Sequence, residues 1–129
     1  MSIYVDADAF VRWEKGDFDL PAWLKNKGDE PMGLPATVWQ QLQFGTFAWS
    51  PQRAAKRRRY LAAISGLPVV AFSRAHAERA AELAAHLKLQ QIGFADFQIA
   101  ATALVDGAEL LTFNREHFSR VPGLKLATV

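Results

Sequence analysis

The sequence predicts an α/β sandwich, in which helices pack on a central, mainly parallel sheet of four to five strands. Short apolar runs with the length of buried strands recur along the chain, and amphipathic helical patterns separate them. Glycine or Ser-Pro punctuation follows most of the helical patterns. Because a helix between two strands usually returns the chain to the same edge of the sheet, the strands are expected to be parallel. We expect strands at 3–6, 67–72, 109–113 and 124–128.

Composition limits the classes of protein that fit. The 129 residues are 50% hydrophobic, which is enough for one globular domain, residues 1–129, with a substantial core. The absence of cysteine excludes disulfides, thiolate zinc sites and cysteine nucleophiles. The first residues lack the pattern of a signal peptide, and no apolar run approaches the roughly 18 residues of a membrane span. We therefore expect a soluble, cytoplasmic protein.

In the first half of the chain, helices are predicted at 7–15, 19–26 and 38–49. Gly16 closes the first of them, as glycine often does after a helix. The stretch 28–33, between the second and third helices, is polar and rich in glycine, and a loop is predicted there. This half thus begins as a strand followed by helices.

In the second half, Ser50-Pro51 opens a helix at 52–64, because serine caps helices well and proline suits the first turn. An alanine-rich helix is predicted at 73–88. His76 and His86 lie on this helix without a carboxylate or histidine four residues further on. Both are expected at the protein surface.

The helix at 52–64 also carries a run of basic side chains, although the net charge of the chain is only +2. Such a run is most often a solvated helix face. The alternative is contact with the phosphates of a nucleic acid. The candidates for that contact are Arg53, Lys56, Arg57 and Arg58.

The stretch 92–114 is the one around which the rest is organised. A helix is predicted to begin near Asp96, and the apolar residues three, four, seven and eight positions later place Asp96 on its buried side. Asp96 is therefore either the N-cap of that helix or a functional acid. Gly107 ends the helix, and Asn114 stands where the strand 109–113 runs out.

Two more acids, Asp6 and Asp8, directly follow the first strand. Ligands bind at the carboxyl ends of parallel strands in open sheets, so these acids, Asp96 and Asn114 are expected to face one crevice. Carboxylates gathered without a lysine repel one another, and such a cluster is usually a divalent cation site. Oxygen ligands favour Mg²⁺ or Mn²⁺ over zinc.

Several segments share a pattern with a known family. They are Asp6-Ala7-Asp8 after the first strand, Gln41-Leu42-Gln43-Phe44-Gly45, Asp96 to Ala103, Leu111-Thr112-Phe113-Asn114, and Phe118 with Val121-Pro122-Gly123-Leu124. Together they resemble the PIN domain and, more narrowly, the toxins of VapBC type II toxin–antitoxin modules. The resemblance covers almost the whole chain, and its second half is the more specific part.

The resemblance implies a PIN-like α/β/α sandwich and a Mg²⁺-dependent endoribonuclease that cleaves RNA phosphodiester bonds. Such toxins are usually homodimers, and a cognate VapB-like antitoxin silences them by covering the active site with its C-terminal tail. Position by position, Asp6 and Asp96 match metal-binding acids. Asn114 matches an Asp or Asn of the family, and Asp8 occupies a place that usually holds Asn. The resemblance implies that both orient a metal-bound water or the scissile phosphate.

Two residues depart from the family's pattern. Gln41 stands where the family expects glutamate, in a Glu-x-x-x-Gly context that is otherwise reproduced. A neutral amide can ligate a cation or hold a water through its oxygen, but it supplies no charge. His117 stands where an acid is common, with Glu116 one step earlier. We thus predict that Gln41 is part of the catalytic site and that the missing charge weakens catalysis.

Two other functions stay open on the sequence alone. Asp6-Ala7-Asp8 after an apolar strand also opens phosphatases of the haloacid-dehalogenase type, with a nucleophile and a general acid. Those enzymes need a later pair of acids, a lysine and a longer chain, whereas the late acid here, Asp96, is single. The second alternative is a PIN-like protein that binds RNA or a protein partner without cleaving, which Gln41 favours.

Overall fold

A computed structural model describes residues 1–87 and 92–129. Its strands are β1 (Ile3–Val5), β2 (Met32–Pro35), β3 (Val69–Val70) and β4 (Glu109–Leu111). They form a central parallel sheet with the strand order β3-β2-β1-β4. The predicted α/β class and parallel sheet are therefore confirmed.

The helices that accompany the sheet confirm the predicted helical segments to within a few residues at each end. The predicted helix 73–88 ends on a residue outside the described part of the chain. None of the described helices is both long and apolar enough to span a membrane. The helices are α1 (Ala7–Lys15), α2 (Leu20–Asn26), α3 (Ala36–Ala48), α4 (Pro51–Ala63), α5 (Arg74–Leu87), α6 (Phe94–Asp106) and α7 (Arg115–Phe118).

The strand β2 lies partly where a loop was predicted, so the prediction for 28–33 is wrong at its end. Its sequence, Met-Gly-Leu-Pro, contains two residue types that are depleted in strands. Gly33 is required by close packing, because a Cβ there would lie 2.6 Å from Val70 Cγ2 and 3.1 Å from Tyr4 Cε1. Close packing against β1 and β3 thus requires glycine at position 33, and this glycine makes the strand harder to predict from the sequence.

All four predicted strands are shorter in the structure than in the sequence analysis, and two of them are much shorter. The run 67–72 forms only the two-residue strand β3. In place of an edge strand at 124–128, Leu126 forms an isolated parallel bridge with Leu110. The Ala127 N–H donates to the Leu110 carbonyl at 2.9 Å, so this segment still closes the outer side of β4.

The core packs around the two central strands. Val5, Leu110 and Leu111 are fully buried in the sheet, and Phe10 of α1 and Phe97 of α6 are fully buried against it. Because β1 and β4 are held in register from Ile3↔Glu109 to Val5↔Leu111, their carboxyl ends lie side by side. The residues that follow these two strands are therefore neighbours.

His76 is buried, so its predicted place at the surface is wrong, whereas His86 is exposed as expected. The Ser73 N–H donates to His76 Nδ1 at 2.9 Å, and His76 Nε2 lies 2.9 Å from Asp106 Oδ1. The Tyr4 hydroxyl donates to the other oxygen of Asp106. This histidine thus connects the start of α5 to the end of α6 and to β1.

Candidate active site

Asp6 stands at the junction of β1 and α1 and is 5% exposed. As the N-cap of α1, it accepts a hydrogen bond from the Ala7 N–H to Oδ1 at 2.8 Å. Its Oδ2 accepts a hydrogen bond from the Thr112 hydroxyl, also at 2.8 Å. Both carboxylate oxygens are therefore held in place by neighbours from α1 and from the end of β4.

Asp8 lies one residue inside α1 and points to the same place. The Phe113 N–H lies 3.1 Å from each of its carboxylate oxygens, and the Thr112 hydroxyl lies 3.2 Å from Oδ2. The Thr112 oxygen in turn accepts a hydrogen bond from the Asn114 N–H at 3.0 Å. Since a hydroxyl has one proton, Thr112 donates to Asp6 or to Asp8 at any moment and positions both.

Sequence analysis missed Thr112, which is fully buried directly after β4. Threonine is a common strand residue, so its presence at a strand end gives no functional signal by itself. One sequence feature could have indicated its role: Thr112 lies between the apolar Leu111 and Phe113, just before Asn114 at the end of the strand. A buried hydroxyl there needs a hydrogen-bond partner, and the acids after β1 are the nearest acceptors.

Asp96 is the third residue of α6, and Gly93 is the N-cap of that helix. The interpretation of Asp96 as an N-cap is therefore wrong. Its side chain is half-buried, and burial raises its pKa. The positive field of His117 lowers this pKa, and the negative charge of Asp8 raises it. The electrostatic effects place Asp96 within range of residues from α1 and α7.

The three carboxylates repel one another. Burial, the charge of Asp8 and, more weakly, the charge of Asp96 together raise the pKa of Asp6 to about 7, although the hydrogen bonds from Thr112 and Ala7 lower it. The groups that lower this pKa are hydrogen-bond donors and not lysine or arginine. Within the described part of the chain, neither lysine nor arginine therefore compensates the negative charge at Asp6.

Asn114 and His117 form the rim of the carboxylate site. The side-chain Nδ2 of Asn114 lies 3.0 Å from His117 Nδ1. An amide nitrogen only donates, so His117 Nδ1 can accept this hydrogen bond only when the imidazole is neutral. The structure thus brings together five residues, Asp6, Asp8, Asp96, Thr112 and Asn114, with His117 beside them.

The donor set suits a hard divalent cation. Among the described residues, no group of three or more His, Cys, Asp or Glu side chains is arranged to hold a metal ion by itself. The carboxylates nevertheless share one electrostatic environment and offer only oxygen. Mg²⁺ is bound in proteins through one or two carboxylates and keeps several waters, which is what this site can offer. The residues present fit such an ion.

The sequence matches the PIN domain family over residues 3–124. This chain belongs to the PIN domain family. No curated protein matches the sequence. A crystal structure of VapBC2 from Rickettsia felis bound to a promoter DNA fragment is similar, with a TM-score of 0.84, 23% identity, and 98% of each chain covered.

Two further solved structures have the same fold as this PIN domain. DNA-bound VapBC from Salmonella typhimurium has a TM-score of 0.79 at 20% identity, with 98% of this chain and 97% of that chain covered. VapBC-1 from nontypeable Haemophilus influenzae has a TM-score of 0.80 at 19% identity, with the same coverage. At these identities the likeness establishes the fold.

Gln41 lies on the exposed side of α3 in this PIN domain. It lines a hollow between α3 and α6 together with Ala95 and Gln98, which flank Asp96 along α6. No hydrogen bond joins Gln41 to a carboxylate of the site within the described residues. Its role in the catalytic site stays a prediction.

The predicted contact of Arg57 with RNA phosphates is wrong, because Arg57 is 3% exposed. Its guanidinium pairs with both oxygens of Glu14, at 2.6 Å from Nε and 2.7 Å from Nη2. Nη1 donates to the Leu42 carbonyl at 2.8 Å, and the group lies 4.4 Å from the centre of the Trp49 ring. Arg57 therefore joins α4 to α1 and α3.

The other three basic candidates are exposed. Arg53 stacks on the same Trp49 ring as Arg57, with its guanidinium 4.2 Å from the ring centre. Arg58 donates to the Thr46 carbonyl at 2.9 Å, and Lys56 lies 5.7 Å from the Tyr60 ring centre. Their contact with RNA stays a prediction.

Proposed function

We propose that this PIN domain is a divalent-metal-dependent endoribonuclease and the toxin of a VapBC-type toxin–antitoxin module. The observation that carries the proposal is the cluster of Asp6, Asp8 and Asp96, whose mutual repulsion raises the pKa of Asp6 and Asp96. Carboxylates kept together at this cost are typical of a cation site. PIN domains are in general metal-dependent nucleases, which agrees with such a site.

Asp6 and Asp96 would hold Mg²⁺, or Mn²⁺ in its place, directly or through water. The bound ion would supply activation of a water for in-line attack and stabilisation of charge on the phosphate. Asp8, which the Phe113 N–H and Thr112 hold, would orient the attacking water. Asn114, which contacts His117 through its amide nitrogen, would contact the scissile phosphate.

The antitoxin partner is proposed from the structural neighbours. Several of these neighbours are VapBC complexes, two of which are bound to DNA. We propose by analogy that a VapB-like antitoxin binds this chain, that the toxin is a homodimer, and that the complex acts in the cytoplasm. Co-expression with the neighbouring open reading frame, followed by purification of a stable complex, tests the partner.

Cleavage of RNA tests the proposed activity. The parent should cleave single-stranded RNA with Mg²⁺ or Mn²⁺ and lose cleavage with EDTA. Asp6→Asn and Asp96→Asn should each lower the rate by at least about a hundred-fold, because each removes a charge that holds the ion. Asp29→Asn changes an exposed acid in a loop and is the matched control. Cleavage that survives in both site variants would contradict the proposed site.

A second candidate function is a PIN domain that binds RNA or a protein partner without cleaving it. The exposed neutral amide of Gln41 favours this candidate, because the family's pattern has glutamate at that position. The two functions differ in one measurement. A purely binding protein would retain RNA in the presence of Mg²⁺ and Mn²⁺ without producing fragments.

A further inference from the structure

A hollow of about 410 Å³ opens between α3 and α6 beside the proposed active site. We call it the α3–α6 hollow, and its lining residues are Thr37, Gln40, Gln41, Phe44, Ala95 and Gln98. Ala95 and Gln98 lie on either side of Asp96 in the first turns of α6. Its volume is within the range of pockets that hold small ligands, roughly 300–1,000 Å³.

Four of the six lining side chains, those of Thr37, Gln40, Gln41 and Gln98, are polar and uncharged. The Thr37 hydroxyl lies 3.1 Å from Gln98 Oε1 and donates to it, so the Gln98 amide is oriented with its NH₂ group left to donate elsewhere. Within the described residues, the amides of Gln40 and Gln41 make no hydrogen bond. Side-chain amides pair with the donor and acceptor edges of nucleobases, whereas phosphates call for positive charge.

An aromatic side chain forms one wall of the hollow. Phe44 is 65% exposed, and Phe94, directly before Ala95 on α6, is 70% exposed. Unpaired bases of single-stranded RNA stack on exposed aromatic rings and are read through hydrogen bonds to their edges. The hollow therefore offers a stacking surface and oriented amides next to a carboxylate of the proposed cleavage site.

We propose that the α3–α6 hollow binds one unpaired base of the RNA substrate, and that Phe44 and Gln98 determine which base is accepted. The choice of ligand rests on the proposed ribonuclease function. A second copy of the chain is the competing occupant, because exposed phenylalanines also mark protein interfaces. The hydroxyl and the three amides of the lining favour the base, because they can pair with its polar edge, whereas the buried centres of homodimer interfaces are mostly apolar.

Binding of RNA in the absence of metal separates the inference from catalysis. Labelled hexamers of A, C, G and U are titrated with the full chain in EDTA, and affinity is followed by fluorescence anisotropy. The parent should prefer one hexamer by about ten-fold. Phe44→Ala should weaken binding of that hexamer by about ten-fold, because a stacking surface is lost. Gln98→Met should reduce the preference to within about two-fold.

The chain offers a matched control and a second variant. Phe47 is 87% exposed on the same helix but lines a different, apolar hollow with Leu61 and Val69, so Phe47→Ala should bind as the parent does. Gln98→Met leaves the Thr37 hydroxyl without its acceptor, so Gln40→Ala, at an exposed position, provides an independent test of base preference.

Each outcome decides the matter. A parent without base preference, or Phe44→Ala and Gln98→Met with unchanged preference, would overturn the inference. If Phe44→Ala also changes a dimer to a monomer in light scattering while the preference is retained, the hollow belongs to a second copy. Failure of the proposed function looks different, because a parent that keeps its base preference would then cleave no RNA with Mg²⁺ or Mn²⁺.

Discussion

Asp6→Asn should make the metal-free protein more stable at neutral pH, by an amount that depends on pH. Burial and the neighbouring carboxylates raise the pKa of Asp6 from 3.8 to about 7. At about 1.4 kcal/mol per pKa unit, the cost of ionising Asp6 in the fold approaches roughly 4 kcal/mol. Asparagine caps a helix as well as aspartate does, so the start of α1 is retained.

The sign of the pH dependence follows from the two states of the chain. Below pH 3.8, Asp6 is protonated in the folded and the unfolded protein and contributes nothing to the difference. Between pH 4 and about 7, the unfolded chain has lost this proton while the fold still holds it. The free energy of unfolding of the parent therefore falls as pH rises through this window, and the advantage of Asp6→Asn grows until about pH 7.

Urea unfolding followed by tryptophan fluorescence, in EDTA between pH 4 and 8, measures this difference. Asp29→Asn, at an exposed position, should follow the parent at every pH. At pH 8, added Mg²⁺ should stabilise the parent and not Asp6→Asn, because only the parent's site keeps the full charge. A difference between Asp6→Asn and the parent that is the same at pH 4.5 and pH 8 would refute the electrostatic argument.

Three further substitutions test the site and its support. Gln41→Glu should tighten Mg²⁺ binding in calorimetry by restoring a charge, and unchanged affinity would place Gln41 outside the ion's surroundings. In chemical unfolding, Arg57→Ala should lower the free energy of unfolding by about 3–5 kcal/mol, because it breaks a buried ion pair. Arg59→Ala, at an exposed position, should change it by less than about 0.5 kcal/mol. Gly45→Ala should cost about 1–3 kcal/mol in thermal unfolding, since its Cβ would lie 2.8 Å from the Trp49 ring, and an unchanged melting temperature would contradict that packing.

Strand ends made the acid cluster predictable. Asp6, Asp8 and Asn114 follow apolar runs, and in a parallel sheet the residues after two neighbouring strands meet at one edge. The strand β2 was less predictable, because Gly33 is selected by the close approach of Tyr4 and Val70 and not by strand propensity. Local sequence therefore predicts which residues follow a strand better than it predicts the bounds of a strand whose residues are selected by close packing.

Partners distant in sequence explain the residues that were misassigned. Arg57 belongs to a basic run, but its partner Glu14 is 43 positions away. His76 looked isolated on its helix, and Asp106 is 30 positions away. A charge pattern within one helix contains no information about an acid on another helix. For such residues the burial that the fold imposes decides between a solvated side chain and one that pairs with a distant acid.

Backbone pairing of β1 with β4 builds the proposed site before any ion binds. The Asp6 N–H donates to the Leu111 carbonyl at 2.9 Å, which fixes Thr112 beside Asp6. The Phe113 N–H then fixes Asp8 from the same segment. These donors hold two carboxylates together although their charges oppose it, so the fold bears the cost of repulsion in the metal-free state. A divalent ion that enters removes this cost, and its binding should stabilise the fold as well as prepare the site for RNA.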